Sequence, residues 1–217
     1  IAQQVQHREA GEFKKDKLKV LAELTKLRQI CCDPRLHYED YKAGSAKLDT
    51  CMELVHGALD GGHRILLFSQ FTGMLDIIGK RLSKEDIAFL KLTGASSKES
   101  RAQMVAQFQA GEVPVFLISL KAGGVGLNLT AADVVIHYDP WWNVAAQDQA
   151  TDRAHRIGQQ HTVTVYKLIA KDTIEERIMQ MQESKRDLVN SVLGGDGISS
   201  ALFTREDVLA LLGGDGR

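Results

Sequence analysis

The chain has 217 residues, of which 44% are hydrophobic and 25% are charged, close to the averages of globular proteins. This composition excludes a disordered tail, a collagen-like chain and a small disulfide scaffold, and the length allows one large domain or two small ones. The 27 Lys and Arg residues are balanced by 28 Asp and Glu residues, so the formal net charge is -1. Any binding to nucleic acid must therefore come from a local basic patch.

No segment has the character of a membrane anchor or a secretory signal. The longest apolar runs are short, such as Ile65–Phe68, and residues 1–20 are polar. The cysteines, including the adjacent Cys31 and Cys32, fit neither a disulfide framework nor a zinc site. We expect an intracellular protein without a membrane partner or a bound metal, in the cytoplasm or nucleoid of a prokaryote or the nucleus of a eukaryote. Because the chain begins with Ile1 and not Met, we also expect a fragment of a longer protein.

The first part of the chain predicts two helices. Apolar residues recur at three- and four-residue steps through residues 13–32, which predicts an amphipathic helix that ends at Asp33-Pro34. Residues 35–46 are polar and are interpreted as a linker. A second apolar stripe between Leu48 and Leu59 predicts another helix, ended by two glycines.

The central part alternates short apolar runs with amphipathic stretches. Mostly continuous runs are typical of strands buried on both faces of a parallel sheet. The predicted strands are Arg64–Ser69, Ile87–Leu92, Val113–Ser119, Val134–Tyr138 and Val163–Leu168. The predicted helices between them are Met74–Leu82, Lys98–Gln109 with a capping box of Ser96 and Glu99, and Ala145–Ile157. The pattern predicts an α/β fold: an open, mainly parallel sheet with helices on both faces and right-handed crossovers.

A long amphipathic helix is predicted after the last strand. Asp172 is the expected cap, and Gly194-Gly195 the expected end. A short final helix is predicted after Thr204. The expected organisation is therefore a helical lead-in and linker over residues 1–44, an α/β lobe over 45–170, and a long and a short helix over 171–217.

A glycine-rich segment follows the third predicted strand. Three glycines, Gly123, Gly124 and Gly126, lie within four residues, which lets the backbone N–H groups approach a phosphate closely, and Lys121 adds a positive charge. The segment is not a Walker A motif, because no Gly-Lys-Ser/Thr follows. On the glycines alone, a strained connection without a ligand explains the segment equally well.

A second polar segment, residues 149–159, reads QATDRAHRIGQ. On a continuous helix, Gln149, Arg153 and Arg156 would share one face. Two guanidinium groups held side by side repel each other unless an anion lies between them, and a triphosphate is such an anion. Ion pairs at the surface, such as Asp152 with Arg156, explain the spacing without a ligand, and by spacing alone they are the better interpretation.

Paired tryptophans, Trp141 and Trp142, follow the fourth predicted strand in the sequence DPWWN. Packing into the core is the better interpretation for the pair as a whole. A contact with a ligand or a DNA backbone is compatible with one of them.

Together these segments resemble the C-terminal RecA-like lobe of the SWI/SNF-type ATPases, members of helicase superfamily 2 that move along double-stranded DNA. The resemblance covers nearly the whole chain, and its most specific stretch is DRAHRIGQ at residues 152–159. The matching stretches are the lead-in at 24–34, motif IV at 65–71, motif IVa at 92–94 with Arg101, motif V at 119–129, motif VI at 149–159 and the start of the brace helix at 173–178. In one departure, Val144 follows Asn143 where the family usually has proline.

The resemblance implies a site for ATP shared with another lobe. Arg153 and Arg156 would be arginine fingers that reach the ATP phosphates, Gln149 would orient them, and Gly124 and Gly126 would shape the turn beside them. ATP and Mg²⁺ would be held mainly by the N-terminal RecA-like lobe, since the sequence contains no Gly-Lys-Thr loop and no Asp-Glu-x-His motif. We expect that this chain alone cannot hydrolyse ATP.

The resemblance also implies contacts with the phosphodiester backbone of double-stranded DNA. The residues concerned are Ser69, Gln70, Arg101, Lys121, Gly123 and Trp142. Two other functions stay open: a non-catalytic DNA- or protein-binding module that keeps the fold, and an RNA-directed helicase of the same superfamily. The presence of both candidate arginine fingers and of the glycine-rich segment argues against the first function. The sequence of motif VI, which usually differs in RNA-directed helicases, argues against the second.

Overall fold

The structure, a computed structural model, describes residues 10–120, 122, 127–141, 144–154 and 162–192, with the backbone only for residues 10–18, 144–146 and 184–192. It divides into two compact units, one formed by Ile1–Glu39 with Ala170–Arg217 and the other by Asp40–Ile169. Among the described residues, no helix combines the length and the apolar character that crossing a bilayer requires.

The larger unit is built on one five-stranded parallel sheet. Its strands are β1 (Ile65–Ser69), β2 (Phe89–Leu92), β3 (Val115–Ser119), β4 (Val134–His137) and β5 (Thr164–Lys167). They lie in the order β2-β3-β1-β4-β5, and every neighbouring pair is parallel. The predicted α/β class and the mainly parallel sheet are confirmed. Each end of a strand either coincides with its predicted end or lies one or two residues inside it.

Seven helical segments accompany the sheet in the described part of the chain. They are α1 (Ala10–Cys32), a 3-10 turn (Pro34–Leu36), α2 (Ala46–Asp60), α3 (Thr72–Lys84), α4 (Lys98–Ala110), α5 (Val144–Thr151) and α6 (Ile174–Val192). The predicted short helix after Thr204 and the predicted glycine end of the long helix lie outside the described residues.

The core lies on the three central strands. Every residue of β1, β3 and β4 is buried, because each strand is an uninterrupted apolar run covered on both faces. Side chains such as Phe68, Phe108 and Phe116 are fully buried in one cluster, and each contributes about 1.5–3 kcal/mol to folding. The expectation of full burial is wrong for β5, whose four residues are exposed. That strand, Thr164–Lys167, lies at the edge of the sheet, where it pairs with β4.

Two helix caps lie one residue later in the chain than predicted. Ser97, not Ser96, caps α4, since its hydroxyl accepts the N–H of Ser100, while Ser96 accepts the N–H of Thr93 in the preceding turn. At α6, Asp172 has a left-handed φ of 58°, and the hydroxyl of Thr173 accepts the N–H of Glu175 at 3.2 Å in its place.

In the smaller unit, α1 packs against α6. Leu24 and Cys32 of α1 and Ile178 of α6 are completely buried. The buried Glu175 carboxylate accepts the N–H of Ala170 at 2.9 Å and lies 3.8 Å from the thiol of Cys32. The chain then turns at Asp33, which pairs with Arg35 at 2.6 Å and ends α1 where the sequence predicted.

Candidate functional site

The topology places a switch point between the carboxyl ends of β1 and β4. These two strands are neighbours, and the chain leaves β1 toward β2 but leaves β4 toward β5, on opposite sides. Ligands of open parallel sheets bind where connections diverge in this way. The segments after β1, β3 and β4 therefore meet at one edge, and they carry the DNA- and ATP-binding candidates other than Arg101.

Asp139 bridges the switch point. Its buried carboxylate accepts the hydroxyl of Ser69 and the side-chain amide of Gln70, each at 2.5 Å, and the backbone N–H of Gln70 at 3.4 Å. The Ser69 hydroxyl in turn accepts the N–H of Phe71 at 3.1 Å. Bonds to a charged acceptor are the stronger kind, so this carboxylate fixes the loop after β1 against the loop after β4.

Of the two predicted DNA contacts in that loop, Ser69 is fully buried and Gln70 is half-buried. The structure therefore uses the hydroxyl of Ser69 inside the protein. Asp139 was not singled out from the sequence, although a carboxylate directly after a buried strand was a usable signal.

The tryptophan loop is held from α5. The buried side-chain oxygen of Gln147 accepts the N–H of Trp141 at 3.3 Å, and the Trp141 ring packs half-buried against the core. Trp142, the predicted DNA contact, lies outside the described residues. Gln147 was not singled out from the sequence. Its position on the buried face of α5 becomes evident from the structure, in which Ala150 and Ala154 lie in the core.

Both ends of the glycine-rich segment are anchored in the core. Leu120 and Ala122 at one end, and Leu127 and Leu129 at the other, are buried in the main cluster. The backbone N–H of Leu120 donates to the carbonyl of Ser69 at 3.0 Å, which joins the segment to β1. Four predicted site residues of this segment lie outside the described residues: Lys121, Gly123, Gly124 and Gly126.

Arg101 contacts the glycine-rich segment directly. From the first turn of α4, its Nη1 donates to the carbonyl of Ala122 at 2.9 Å. The predicted DNA-binding arginine is therefore half-buried and engaged with the protein backbone.

The predicted helix Ala145–Ile157 is wrong at residues 152–154, and residues 155–157 lie outside the described residues. Residues 152–154 form a turn, in which Ala154 donates to the carbonyl of Thr151 at 3.0 Å. The carbonyl of Arg153 accepts the N–H of Leu129 at 3.1 Å, so it is engaged outside the helical pattern. We call residues 152–154 the arginine turn.

The arginine turn separates the predicted ATP-binding residues. Gln149 is exposed on α5, whereas Arg153 is 3% exposed in the turn, so the two do not present one helical face to solvent. Arg156 lies outside the described residues. The structure brings the arginine turn and the far end of the glycine-rich segment together through the Leu129–Arg153 bond.

His137, the last residue of β4, links the sheet to the end of α5. Its buried ring stacks on Phe68 with a centroid distance of 5.5 Å, and its Nε2 lies 3.0 Å from the hydroxyl of Thr151. Burial, and then the charge of Lys167, lower the pKa of His137 from 6.5 to about 4. The imidazole is therefore neutral at physiological pH, and it connects Phe68 of β1 to Thr151 at the end of α5.

Within the described ranges, no group of three or more His, Cys, Asp or Glu side chains could hold a metal ion. At the switch point, the buried carboxylate of Asp139 has amide and hydroxyl partners. The donors of Ser69 and Gln70 that the structure describes bond to this carboxylate.

The comparisons with known proteins agree on one protein family. The helicase conserved C-terminal domain matches residues 46–158. An ATP-dependent helicase of Mycoplasma pneumoniae is 42% identical over 91% of this chain, which spans 19% of that protein. The chromatin-remodeling ATPase INO80 of Cryptococcus neoformans is 46% identical over 76% of the chain, which spans 9% of it. The chain therefore corresponds to about a fifth or less of these relatives.

Two solved structures from Sulfolobus solfataricus are similar in fold. The SWI2/SNF2 ATPase C-terminal domain has a TM-score of 0.68 and 36% identity, over 84% of this chain and 75% of that one. The SWI2/SNF2 ATPase core in complex with dsDNA has a TM-score of 0.69 and 39% identity, over 82% of this chain and 38% of that one.

Replacing Asp139 by asparagine should lower the free energy of unfolding by about 1–3 kcal/mol, because the buried acceptor of three hydrogen bonds loses its charge. Urea denaturation followed by circular dichroism measures this. Asp76→Asn is the matched control: it removes a half-exposed carboxylate 2.5 Å from Lys91, a surface pair worth less than about 1 kcal/mol. Equal urea midpoints for the Asp139 variant and the wild type would contradict the bridging role.

Lowering the pH from about 6.5 to about 4 should destabilise the fold through His137. The unfolded chain binds the imidazole proton in this window and the folded protein does not, so the free energy of unfolding falls by up to about 1.4 kcal/mol per pH unit. Urea titrations of the wild type and His137→Gln at pH 7, 6 and 5 measure the difference. The variant should show the shallower pH dependence, and identical slopes would show that His137 titrates normally.

Proposed function

The chain belongs to the helicase conserved C-terminal domain family, as the C-terminal RecA-like lobe of an SWI/SNF-type superfamily 2 ATPase, and from this we propose that it is the second motor lobe of an ATP-dependent double-stranded-DNA translocase. The observation that carries the proposal is the backbone bond between Leu129 and Arg153. It joins the end of a glycine-rich segment suited to phosphates to the turn that contains Arg153 and precedes Arg156 in the chain. The partner completing the site is the N-terminal RecA-like lobe of the same protein.

The residues of this chain fit the phosphate end of ATP and not the Mg²⁺. Gln149 is an exposed amide on the helix leading to the arginine turn. Bound ATP supplies the γ-phosphoryl group that is transferred to water, with Mg²⁺ neutralising its charge. Gln149 orients the nucleotide site from this lobe, and Gly124 and Gly126 shape the turn beside it. Cation ligands have to come from the first lobe, because the described part of this one offers no carboxylate cluster.

The two arginines take different parts in this proposal. Arg156 makes the first contact with the γ-phosphate when the lobes close, and it stabilises the charge that spreads during phosphoryl transfer. Arg153 is 3% exposed, so its guanidinium has to leave its present surroundings before it can touch a phosphate. It supports the turn in the open state and reaches the phosphate only in the closed state.

The DNA-binding candidates, apart from Arg101 at the start of α4, belong in sequence to the segments that end or follow β1, β3 and β4. Gln70, Lys121, Gly123 and Trp142 belong to the loops after β1, β3 and β4, and they contact the sugar–phosphate backbone in our proposal. Ser69 keeps its hydroxyl for Asp139 and contributes the shape of the loop. Contacts of this kind give affinity without sequence readout, which a translocase requires. Similarity to a core solved with double-stranded DNA supports the choice of duplex.

In this proposal, the movement of the lobe along DNA depends on the bond between the glycine-rich segment and the arginine turn. The arginine turn approaches the nucleotide when the lobes close and withdraws after hydrolysis. Since the glycine-rich segment is bonded to that turn at Leu129, the DNA-contacting loops move with it as one lobe. Repeated closure then advances this lobe along one strand of the duplex.

This chain purified alone should show no ATP hydrolysis, with or without duplex DNA, because nothing in its sequence cradles a β-phosphate or holds Mg²⁺. Phosphate release measured across a gel-filtration peak tests this, with the protein carrying both lobes as the positive control. Turnover that coelutes with the isolated chain would contradict the division of labour between lobes.

Replacing Arg156 by alanine in the two-lobe protein should lower DNA-stimulated ATP turnover by about 10³-fold or more, and leave the fold and most DNA binding intact. Steady-state phosphate release and fluorescence anisotropy with a labelled duplex measure the two effects. Arg81→Ala is the matched control, since this arginine lies in the last turn of α3 and pairs with Asp49 and Glu85, outside the segments that carry the candidate site. Normal turnover in the Arg156 variant would refute the assignment.

A further inference from the structure

One helix holds both ends of the glycine-rich segment. Near the start of α4, Arg101 donates to the carbonyl of Ala122 at 2.9 Å. Near its end, the side chain of Gln109 bonds to Thr130 and Ala131 on the far side of the segment. The two anchors are eight residues apart, about 12 Å along a rigid helix. The helix therefore sets the distance between the ends of the segment.

Gln109 bonds to a tight turn through both the oxygen and the nitrogen of its side-chain amide. Its oxygen accepts the backbone N–H of Ala131 at 2.8 Å, and its nitrogen donates to the hydroxyl of Thr130 at 3.2 Å. Thr130 and Ala131 are the two central residues of a turn closed by the N–H of Ala132 on the carbonyl of Leu129 at 3.1 Å. Both bonds to Gln109 are partly buried, so the amide supplies partners that water cannot fully replace.

The first residue of that turn is the one that holds the arginine turn. Leu129 is completely buried, and its N–H donates to the carbonyl of Arg153 at 3.1 Å. Three contacts thus run in series from Gln109 to the turn at Thr130 and Ala131, then to Leu129, and then to Arg153. Each joins protein groups that lie within one compact unit.

We propose that Gln109 is a positioning residue for the nucleotide site: through the Leu129 turn it fixes the arginine turn, and so sets where Arg156 meets the γ-phosphate. The proposal rests on the proposed function of those arginines. Gln109 does not touch the nucleotide or the DNA. Arg101 performs the matching task at the near end of the segment, by fixing Ala122.

The expected kinetic signature follows from geometry. A misplacement of about 1 Å in a catalytic group can cost up to about 10²-fold in rate, even when the altered residue is remote. Contacts made mainly in the transition state affect kcat, whereas ground-state binding of ATP depends on the first lobe and is spared. Loss of Gln109 should therefore lower kcat and leave KM for ATP nearly unchanged.

Gln109→Met in the two-lobe protein tests this, because methionine keeps the length of the side chain and removes both hydrogen bonds. DNA-stimulated kcat should fall by about 10-fold or more, with KM for ATP and the duplex Kd within about twofold of the wild type. Gln103→Met is the matched control: Gln103 is exposed on the same helix, and its replacement should change neither constant. Gln109→Glu keeps an acceptor for Ala131 and for the Thr130 hydroxyl, and it should retain most of the activity.

Hydrogen exchange on the same proteins gives a readout independent of catalysis. Amides of residues 127–132 and 150–154 should exchange faster in Gln109→Met than in the wild type, and at the wild-type rate in Gln103→Met. Thr130→Val, which removes only the hydroxyl partner, should shift kcat and exchange in the same direction by less. This variant keeps the test valid if Gln109→Met fails to fold.

The outcomes separate the two proposals. Wild-type kcat in Gln109→Met, or equal losses in Gln109→Met and Gln103→Met, would overturn the positioning role while Arg156→Ala still abolishes turnover. A rise in KM with unchanged kcat would overturn it as well. Normal turnover in Arg156→Ala would overturn the proposed function itself, whatever the Gln109 variants do.

Discussion

One hydrogen bond, from the backbone N–H of Leu129 to the carbonyl of Arg153, joins the two segments on which the proposed chemistry depends. It forms where a buried parallel sheet delivers the segments after β3 and β4 to one edge, and it satisfies the backbone N–H of Leu129 and the carbonyl of Arg153. The core closes around them through Leu129 and Ala154. The far end of the glycine-rich segment and the arginine turn are thus held together by a backbone bond and by packing in the core.

The fold was predictable from the sequence because it follows from burial. β1, β3 and β4 are uninterrupted apolar runs, and only a sheet covered on both faces buries such runs completely. The exception, β5, shows the limit of that reasoning: its four residues are exposed at the edge of the sheet, and the residues of a strand do not state its place in the sheet. The cap of α4 was predicted at Ser96 and lies at Ser97. Two adjacent serines offer the same chemistry, and only the hydrogen bond of Ser96 in the turn at Thr93 distinguishes them.

The site was less predictable because its connections are long-range. Helical spacing put Gln149 and Arg153 on one face, yet α5 ends at Thr151, where the turn takes a tertiary partner for its backbone. Asp139 meets Ser69 and Gln70 across 70 and 69 positions, and Gln109 meets Ala131 across 22. Pairings of this kind have no period in the sequence. The resemblance to a motor family identified the arginines, but it did not reveal that Arg153 is buried or that Arg101 contacts Ala122.

The central claim is that the arginine turn completes a nucleotide pocket whose other half belongs to the first lobe. A structure of the two-lobe protein with ADP, Mg²⁺, aluminium fluoride and duplex DNA measures this most directly. The guanidinium of Arg156 should lie within hydrogen-bond distance, about 3 Å, of the fluoride that mimics the transferred phosphoryl group. The Leu129–Arg153 bond should be intact beside it. An occupied nucleotide pocket in a closed two-lobe protein, with Arg156 directed away into solvent, would contradict the claim.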